Sequence, residues 1–395
     1  MLRNSTVMEH EGCRRFLPLL SCLFVAVMLH LAQATPGAGS SAQSSAEADG
    51  FRLAEPGYQY EFPRDHGSHD EFRTEWWYYT GHLSAQNGRR FGFQATFFRR
   101  AMGPDQSATL PSRWAIRHLY LAHFAVSDID GKQFVFSEKI SREGLGKAGA
   151  ETGRLRVWID RWIAETTQEE PLTHRVRAEQ DGVAVELALH PLKRPIIHGR
   201  AGVSRKGEEV GQASHYYSLT RMATEGRVTI DGEIFQVTGT SWMDHEFGSA
   251  DLSEDLVGWD WFSLQLDDRS ELMVYLLRRG DGSPAPASSG TVVFPDGRSE
   301  MLARDGVDVT VRSHWTSPTS GARYPAAWHI VCPSLGLDVD VTPLLADQEL
   351  ATRRSTQVTY WEGAVRIAGM SNGRSVTGQG YVELTGYAER FKERL

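Results

Sequence analysis

Two sequence motifs each occur twice in this chain, in the same order. The opening motif is EWWYYTGHL at residues 75–83 and GWDWFSLQL at residues 258–266. The closing motif, V-T-G-x-x-aromatic-x-acid, stands at residues 237–244 and again at residues 376–383. Copies this far apart indicate a duplicated domain rather than a solenoid. The sequence therefore predicts two related domains in tandem, and its 395 residues suit two hydrophobic cores.

The pattern between these motifs is that of β-strands. Apolar residues alternate with polar or small ones over residues 91–97 and 183–189, which is a period of two. The predicted fold class is all-β, with each copy an antiparallel barrel whose opening and closing strands pair. We also expect Trp77 to be equivalent to Trp261, and Trp242 to Tyr381. Hairpin turns are predicted at Asn87-Gly88, Asp130-Gly131, Asp181-Gly182, Asp231-Gly232, Asp296-Gly297 and Asn372-Gly373.

The N-terminus has the pattern of a secretory signal peptide. A basic start, an apolar run over residues 16–31 and the small-x-small sequence Ala32-Gln33-Ala34 predict cleavage after residue 34 and a secreted or periplasmic protein. An uncleaved membrane anchor is the alternative. We expect a flexible linker at residues 35–54, an N-terminal domain at 55–250 and a C-terminal domain at 251–395.

Composition excludes several classes of function. A formal net charge of −8 without a basic stripe argues against nucleic-acid binding. Cys332 is the one cysteine beyond the leader, which rules out an internal disulfide and predicts a small buried residue. Gly239-Thr240-Ser241-Trp242 is not a nucleophile elbow, which needs G-x-S-x-G on a turn from a strand to a helix. The spacing of the histidines predicts no metal site; these are His66, His69, His215 and His245.

The residues that can carry chemistry are concentrated between residues 215 and 246. His215 and Tyr217 are two apart on one predicted strand, and Trp242 and Asp244 are two apart on the closing strand. A local meander would bring both pairs to one end of the barrel cavity. The alternative is structural, with a packed indole and a histidine whose hydrogen bonds are satisfied. The second copy keeps an aromatic residue and an acid, but it has no histidine in the place of His215.

Three segments resemble a known family. EWWY at residues 75–78, HYYSLTR at 215–221 and WMDHEFG at 242–248 are similar to segments of the AttH-like secreted proteins and the bacterial carotenoid 1,2-hydratases, also called hydroxyneurosporene synthases. The resemblance extends from about residue 55 to the end. It implies two lipocalin-like barrels, and it implies Asp244 as the candidate catalytic acid with His215, Tyr217 and Trp242 beside it.

Hydration of an isolated alkene explains these residue types. The reaction begins with protonation by a carboxylic acid, and burial keeps such an acid protonated near neutral pH. Asp244 would donate the proton, Trp242 and Tyr217 would stabilise the carbocation, and His215 would accept a proton from water. No metal or organic cofactor is required. Candidate substrate-binding residues are Trp77, Tyr216, His245, Trp259 and Trp261, although the pattern of the tryptophans favours packing at the opening strands over contact with a ligand.

Two hypotheses of different class follow. The first is an exported carbon–oxygen lyase of the carotenoid 1,2-hydratase type, acting on an apolar isoprenoid inside the first barrel. The second is a non-catalytic periplasmic protein that binds or carries a lipid. Both predict an apolar small-molecule ligand and peripheral contact with a membrane, and neither involves nucleic acid.

Overall fold

The computed structural model describes residues 47–391, apart from residues 49, 104–115, 171, 210 and 250–251. Over these residues the chain is almost entirely β-structure, with short 3-10 helices at Arg64–His66, Arg304–Gly306 and Pro333–Leu335. The predicted signal peptide lies outside the described residues. Within the described ranges, no helix is long and apolar enough to cross a membrane.

A short hairpin precedes the two large sheets. It consists of β1 (Glu47–Ala48) and β2 (Phe51–Arg52). Phe51, Leu53 and Ala54 are buried, with 8% or less of their surface exposed. The end of the segment predicted as a flexible linker is therefore packed, and Ala54 belongs to a buried cluster with Phe72 and Phe247.

Thirteen strands form the first sheet, which we call barrel one. They are β3 (Thr74–Ala85), β4 (Arg90–Ala101), β5 (His118–Asp128), β6 (Gln133–Arg142), β7 (Ala148–Ala150), β8 (Arg156–Ile159), β9 (Trp162–Glu165), β10 (His174–Gln180), β11 (Val183–Pro191), β12 (Ile196–Ile197), β13 (Ser204–Arg205), β14 (Ala213–Ile230) and β15 (Glu233–Gly248).

Ten strands form the second sheet, barrel two. They are β16 (Leu256–Leu266), β17 (Glu271–Arg279), β18 (Ser289–Val293), β19 (Ser299–Leu302), β20 (Asp308–Thr316), β21 (Arg323–Cys332), β22 (Leu337–Pro343), β23 (Glu349–Thr352), β24 (Val358–Ser371) and β25 (Arg374–Thr385). The predicted domain boundary falls on residues 250–251, which lie outside the described part of the chain.

The opening and closing strands pair in both copies, as predicted. In barrel one β3 lies antiparallel to β15, and in barrel two β16 lies antiparallel to β25. When the strands of each sheet are followed from one hydrogen-bonded neighbour to the next, the order begins at β6 and ends at β7 in barrel one, and begins at β19 and ends at β20 in barrel two. In each sheet the first and last strands of this order are consecutive in sequence. Each sheet therefore curls into a ring that is open only between these two strands. The predicted fold of two lipocalin-like antiparallel barrels is confirmed.

Several predicted hairpins have the backbone that their turn residues favour. Both central residues have positive φ at Asp181-Gly182 (51° and 83°), Asp231-Gly232 (50° and 84°) and Asn372-Gly373 (48° and 74°). This is the pattern of type I′ turns, whose twist matches that of the flanking strands. Local turn chemistry therefore set these strand pairings.

Side chains fill the interior of each barrel. Barrel one is packed with aromatic and aliphatic residues that include Trp77, Phe93, Trp162 and Met243. Barrel two is packed in the same way around Phe262, Trp328 and Trp361. Cys332 is buried in that second core, as predicted. Side chains of barrel one also cover part of barrel two, and this contact forms a third core between the barrels.

The register corrects one predicted equivalence. Asp244 on β15 is opposite Tyr78 on β3, and Glu383 on β25 is opposite Trp261 on β16. The closing strands therefore match as predicted, with Trp242 equivalent to Tyr381, but Trp261 corresponds to Tyr78 and not to Trp77. A shift of one residue turns a strand's side chain to the other face. Trp77 consequently packs inside barrel one, whereas Trp261 lies between the barrels.

The two barrels meet through reciprocal contacts. His82 Nε2 donates a hydrogen bond to the Gly380 carbonyl at 2.8 Å, and Gln265 Nε2 donates to the Ser241 carbonyl at 3.0 Å. His82 and Gln265 occupy equivalent positions on β3 and β16, as do Ser241 and Gly380 on β15 and β25. Tyr78 and its equivalent Trp261 also contact each other, with ring centroids 5.2 Å apart. The interface therefore has approximate two-fold symmetry, which a duplicated domain makes available.

An ion cluster fixes the same interface. Glu271 of barrel two is fully buried, and its carboxylate lies 2.6 Å from Lys193 Nζ and 2.6 Å from Arg221 Nε, both of barrel one. The described residues from 45 onward form one compact unit. These buried pairs bridge the barrels, so loss of either partner alone would leave an uncompensated buried charge at the interface.

Gly92→Ala is expected to loosen the contact between the barrels. A Cβ at this position would meet the Tyr381 hydroxyl and would lie 2.9 Å from the Ala364 Cβ. Overpacking of this kind costs about 1–3 kcal/mol. Thermal unfolding should show a lower midpoint for this variant. Gly280→Ala is the matched control, since its added Cβ would meet Val257 at 3.8 Å, and an equal loss in both variants would contradict the interface explanation.

Candidate functional site

Strands β14 and β15 carry the predicted site residues on two opposite faces. His215 is opposite Phe247 and Tyr217 is opposite His245, and this face points into barrel one. Ser218 is opposite Asp244, and this face points toward barrel two. The prediction that His215, Tyr217, Trp242 and Asp244 converge is therefore wrong for the first two. Odd and even positions of paired strands cannot share a face without a bulge between them.

Asp244 is held between the barrels by three hydrogen-bond donors. Trp242 Nε1 donates to Asp244 Oδ1 at 2.5 Å, and Tyr216 Oη donates to Oδ2 at 2.6 Å. The Ser218 hydroxyl also donates to Oδ1. The carboxyl group is 4% exposed, so its orientation is fixed by these partners. Trp242 and Tyr216 were both predicted as site residues, and both donate a hydrogen bond to this carboxyl group.

The environment of Asp244 raises its pKa to about 7. Burial is the main cause, because removing the carboxylate from water penalises the charged form. The three donors act in the opposite direction, and the nearby carboxylate of Glu246 adds to the increase. Asp244 is therefore able both to give and to accept a proton near neutral pH.

Barrel two completes this site. Trp261 Nε1 donates a hydrogen bond to Tyr216 Oη at 3.1 Å, and Tyr216 in turn donates to Asp244. The rings of Trp242 and Trp261 are in edge contact, with centroids 6.2 Å apart. Trp259 lies nearby and donates from Nε1 to Glu383 at 3.0 Å. Both predicted tryptophans of barrel two thus lie between the barrels, and neither points into a barrel interior.

Sequence reasoning missed His198. Its Nε2 is 2.6 Å from the Ser218 hydroxyl, which bonds to Asp244, and its Nδ1 is 2.8 Å from the Thr291 hydroxyl of barrel two. Burial lowers its pKa to about 3, so the imidazole is neutral. His198 follows β12, a short strand that pairs with β14 beside Ser218. The sequence gives no local signal for this contact, because His198 reaches Asp244 only through tertiary packing.

Lys206 was also missed, and it supplies a positive charge close to Glu246. Its Nζ is 2.8 Å from Glu246 Oε1 and lies 4.1 Å from the ring centroid of Tyr275 in barrel two. Glu246 is the next residue on the same face as Asp244. The ion pair therefore compensates one of the carboxyl groups between the barrels.

The inward-facing residues form a separate network. Tyr217 Oη lies 2.6 Å from His66 Nδ1 and 3.0 Å from His245 Nδ1, and His245 Nε2 lies 2.8 Å from Glu75 Oε1. The indole of Trp77 stacks on His245, with ring centroids 4.8 Å apart. His66 belongs to the segment at residues 58–69, which we call the plug because Tyr60 and Phe62 in it pack against the core of barrel one. The network thus joins the plug to the barrel.

His215 has a structural environment. Its ring packs against Tyr58, with centroids 4.5 Å apart, and against Phe72 and Phe247. Its Nδ1 is 3.0 Å from the Gly202 carbonyl, and burial lowers its pKa to about 4. The geometry therefore supports the structural alternative for His215, a packed histidine with a satisfied hydrogen bond, over a catalytic role.

Three potential metal ligands do meet inside barrel one. The ligand atoms of His69, Glu75 and His245 all lie within 4.8 Å of one another. Spacing in the sequence gave no sign of this group because its members come from the plug, β3 and β15. Both histidines already hydrogen-bond to Glu75 at 2.8 Å, and Arg99 Nε lies 2.9 Å from the same carboxylate. A cation would have to displace these bonds beside a guanidinium, so the donor set fits an ion-pair network better than a metal centre.

Folding stability should fall between pH 6.5 and 9 because of His69. Burial lowers its pKa, but hydrogen bonds to Asp65 and Glu75 and their charges outweigh burial and raise the pKa to about 9. A raised pKa contributes stability that is complete below the unfolded value and is lost as pH rises through the folded value. The loss is on the order of 3 kcal/mol. Urea unfolding of wild type and His69→Gln across this range should show the slope in wild type only; equal slopes would contradict it.

Comparison with known proteins identifies the family. The family model described as AttH-like matches residues 53–387. The chain belongs to the AttH-like family. The resemblance predicted from three short motifs is thus confirmed over most of the sequence.

Solved structures share the fold of this AttH-like protein. A protein from Nitrosomonas europaea assigned to AttH is 36% identical, with a TM-score of 0.76 over 85% of this chain and 99% of the other. Kievitone hydratase from Nectria haematococca is 16% identical, with a TM-score of 0.64 over 87% and 96% of the two chains. At that identity the second likeness shows the fold alone.

A curated relative is an enzyme. Dehydratase asqC from Emericella nidulans is 25% identical over 220 residues, which are 54% of this chain and 61% of the dehydratase. The match therefore spans less than two thirds of that relative.

Proposed function

We propose that this AttH-like protein adds water to a carbon–carbon double bond of an apolar substrate, or forms such a bond by removing water from an alcohol, at the interface between its barrels. The observation that carries the proposal is the Asp244 carboxyl group, which is buried among tryptophan and tyrosine rings from both barrels and has a pKa of about 7. Such a group can protonate an alkene and can remove the proton in the reverse direction. The dehydratase name of the curated relative supports this class of reaction.

The neighbouring residues have distinct roles in this proposal. Asp244 exchanges the proton with carbon, and the faces of Trp242 and Trp261 stabilise the developing cation by about 1–2 kcal/mol each when desolvated. Tyr216 and Ser218 position the carboxyl group, and neutral His198 supports Ser218. His215 has no part, because it lies on the opposite face of the sheet. The reacting group of the substrate would thus lie between the barrels and not inside barrel one.

The substrate class remains the one that the motifs suggest, an isoprenoid or another apolar lipid. The test is incubation of the purified protein with an acyclic carotene and with shorter isoprenoid alkenes in water labelled with oxygen-18. A labelled tertiary alcohol is the expected product, and the same alcohol offered in unlabelled water should return the alkene. Alkenes that bind without forming alcohol would favour the carrier hypothesis instead.

Export is a separate part of the proposal. The basic start, the apolar run and the small-x-small sequence before residue 35 support a cleaved signal peptide. Fractionation of cells that express the full chain, followed by N-terminal sequencing, should find the protein in the periplasm or medium with Thr35 at its start. An intact N-terminus in the cytoplasm would contradict export, and an intact N-terminus in the membrane would indicate the anchor.

A further inference from the structure

Barrel two carries a pair of carboxyl groups where barrel one carries one. Glu383 occupies the position equivalent to Asp244, and the residue opposite it on β24 is Glu362, whereas the residue opposite Asp244 is Ser218. The Cβ atoms of directly opposed residues in an antiparallel pair are about 4.5–5.5 Å apart. Glu362 and Glu383 are therefore neighbours on the face of barrel two that meets barrel one.

The bonds to this pair come from neutral groups. Tyr78 of barrel one donates to Glu362 Oε1 at 2.5 Å, and Glu383 Oε1 accepts from Trp259 Nε1 and from the Thr385 hydroxyl at 2.9 Å. Glu362 is 2% exposed. Glu383 is half-buried, and repulsion from its carboxylate favours a proton on the buried Glu362. Burial raises the pKa of Glu362 well above its usual value and that of Glu383 to about 7.

Two polar atoms nearby have no partner within the described part of the chain. They are the hydroxyl of Thr80 and Oε1 of Gln94, which are opposite each other on β3 and β4 and are 1% and 3% exposed. Thr80 follows Tyr78 by two residues on the face that meets barrel two. Gln94 Nε2 donates to Tyr360 Oη at 3.2 Å. Tyr360 precedes Glu362 by two residues on β24. Buried polar groups are rarely left unpaired, so a donor such as water or a substrate hydroxyl fits here.

We propose that Glu362 and Glu383 share one proton and serve as the second acid–base group of the site between the barrels, and that Thr80 and Gln94 hold the water on which this pair acts. The proposal rests on the proposed function of Asp244. In this proposal each barrel carries one acid–base group, Asp244 in barrel one and the Glu362–Glu383 pair in barrel two. Asp244 and Glu383 lie on the equivalent closing strands β15 and β25, on either side of the approximate two-fold axis.

The proton balance is closed in this scheme. In hydration Asp244 gives its proton to one alkene carbon, and the oxygen of water forms a bond to the other carbon. The proton that this water loses passes to the Glu362–Glu383 pair, which becomes fully protonated. The pair then returns one proton to Asp244, either across Tyr78, which bonds to Glu362 and lies opposite Asp244, or through water as the product leaves. Dehydration uses the same steps in reverse.

Other charged or titratable groups lie around this pair, and of these Asp244 raises the pKa of Glu362 and Glu246 raises the pKa of Glu383. They are Tyr78, Asp244, Glu246 and Lys206 from barrel one, and Tyr275, Tyr360 and Tyr381 from barrel two.

The first test measures protonation without turnover. Infrared difference spectra of the full chain against Glu362→Gln at pH 7 should show the loss of a protonated carboxyl band. Glu349→Gln is the control, a buried glutamate that accepts bonds from Ser317, Ser320 and Tyr324 in barrel two. It should leave that band in place. A spectrum in which Glu362→Gln removes no such band would overturn the shared proton, whatever the activity of the protein.

The second test uses the hydration assay. Glu383→Gln should lower kcat/KM by about 10²-fold and remove the acid-side limb of its pH profile, while Glu383→Asp should retain that limb. Thr80→Val should leave the melting temperature unchanged or higher, because it removes an unpaired hydroxyl, yet should lower kcat about tenfold. If Asp244→Asn abolishes turnover while Glu383→Gln and Thr80→Val retain wild-type rates, the hydratase function of Asp244 is supported and the role of the Glu362–Glu383 pair is contradicted. If the wild-type protein makes no alcohol, the proposed hydratase function is contradicted, and the infrared result alone decides whether Glu362 and Glu383 share a proton.

Discussion

Asp244→Asn is expected to lower turnover by roughly 10²–10⁴-fold while the protein stays folded. The amide has the shape of the carboxyl group, so Trp242 and Ser218 can still donate to its remaining oxygen. It cannot deliver a proton at neutral pH, however, and the alkene would not be activated. The measurement is the rate of alcohol formation together with the unfolding temperature and the affinity for the alkene.

Asp260→Asn is the matched control for this variant. Asp260 is also a buried aspartate with a raised pKa, caused chiefly by burial, but it bonds to Arg278 and Tyr387 at the end of barrel two. A loss of turnover confined to Asp244→Asn would identify the acid. Retention of the wild-type rate by Asp244→Asn would remove Asp244 from the mechanism, and ligand binding without turnover in wild type would leave only the carrier hypothesis.

Glu75→Ala is expected to destabilise the protein by about 3–5 kcal/mol. Glu75 is fully buried and accepts hydrogen bonds from Arg99 Nε at 2.9 Å and from the rings of His69 and His245. Its removal would leave the guanidinium of Arg99, which is 0% exposed, with only the half-exposed carboxylate of Asp70 at 3.9 Å as a counter-ion. It would also remove one of the polar contacts that join the plug to barrel one, because His69 belongs to the plug. Urea unfolding monitored by tryptophan fluorescence measures the change.

Two further variants separate the charge from the packing. Glu71→Ala removes an exposed carboxylate that lies 3.9 Å from Arg52, and it should change stability by no more than about 0.5 kcal/mol. The double variant Glu75→Leu with Arg99→Met removes both charges and should recover part of the loss. A single Glu75→Ala variant as stable as wild type would show that this network does not hold the plug.

Much of the fold could be predicted because its signals are local. The alternation at residues 91–97 and 183–189 predicted strands β4 and β11, and Asp-Gly and Asn-Gly pairs predicted turns that the structure contains. The repeated closing motif predicted that β15 and β25 each pair with an opening strand. Each of these inferences needs only neighbours in sequence and one repeat.

The faces of the strands could be predicted only in part. Asp244 and Trp242 share one face, as their spacing predicted, and Tyr216, which was named only as a candidate substrate-binding residue, bonds to Asp244. The sequence could not tell which face of β14 meets the other barrel, because both faces are buried and both are rich in aromatic residues. For the same reason Trp261 was matched to Trp77, although it corresponds to Tyr78.

The sequence by itself determined the class of fold, the duplication and the family, since these follow from periodicity, turn chemistry and motifs along one chain. Tertiary structure alone decided that Asp244 lies between the barrels, that His198 supports it from a distant loop, and that His215 packs under the plug. Alternation along a strand gives two faces but does not say what covers each one. That depends on how the second barrel docks, and the docking is set by reciprocal contacts such as those of His82 and Gln265 that no local pattern records.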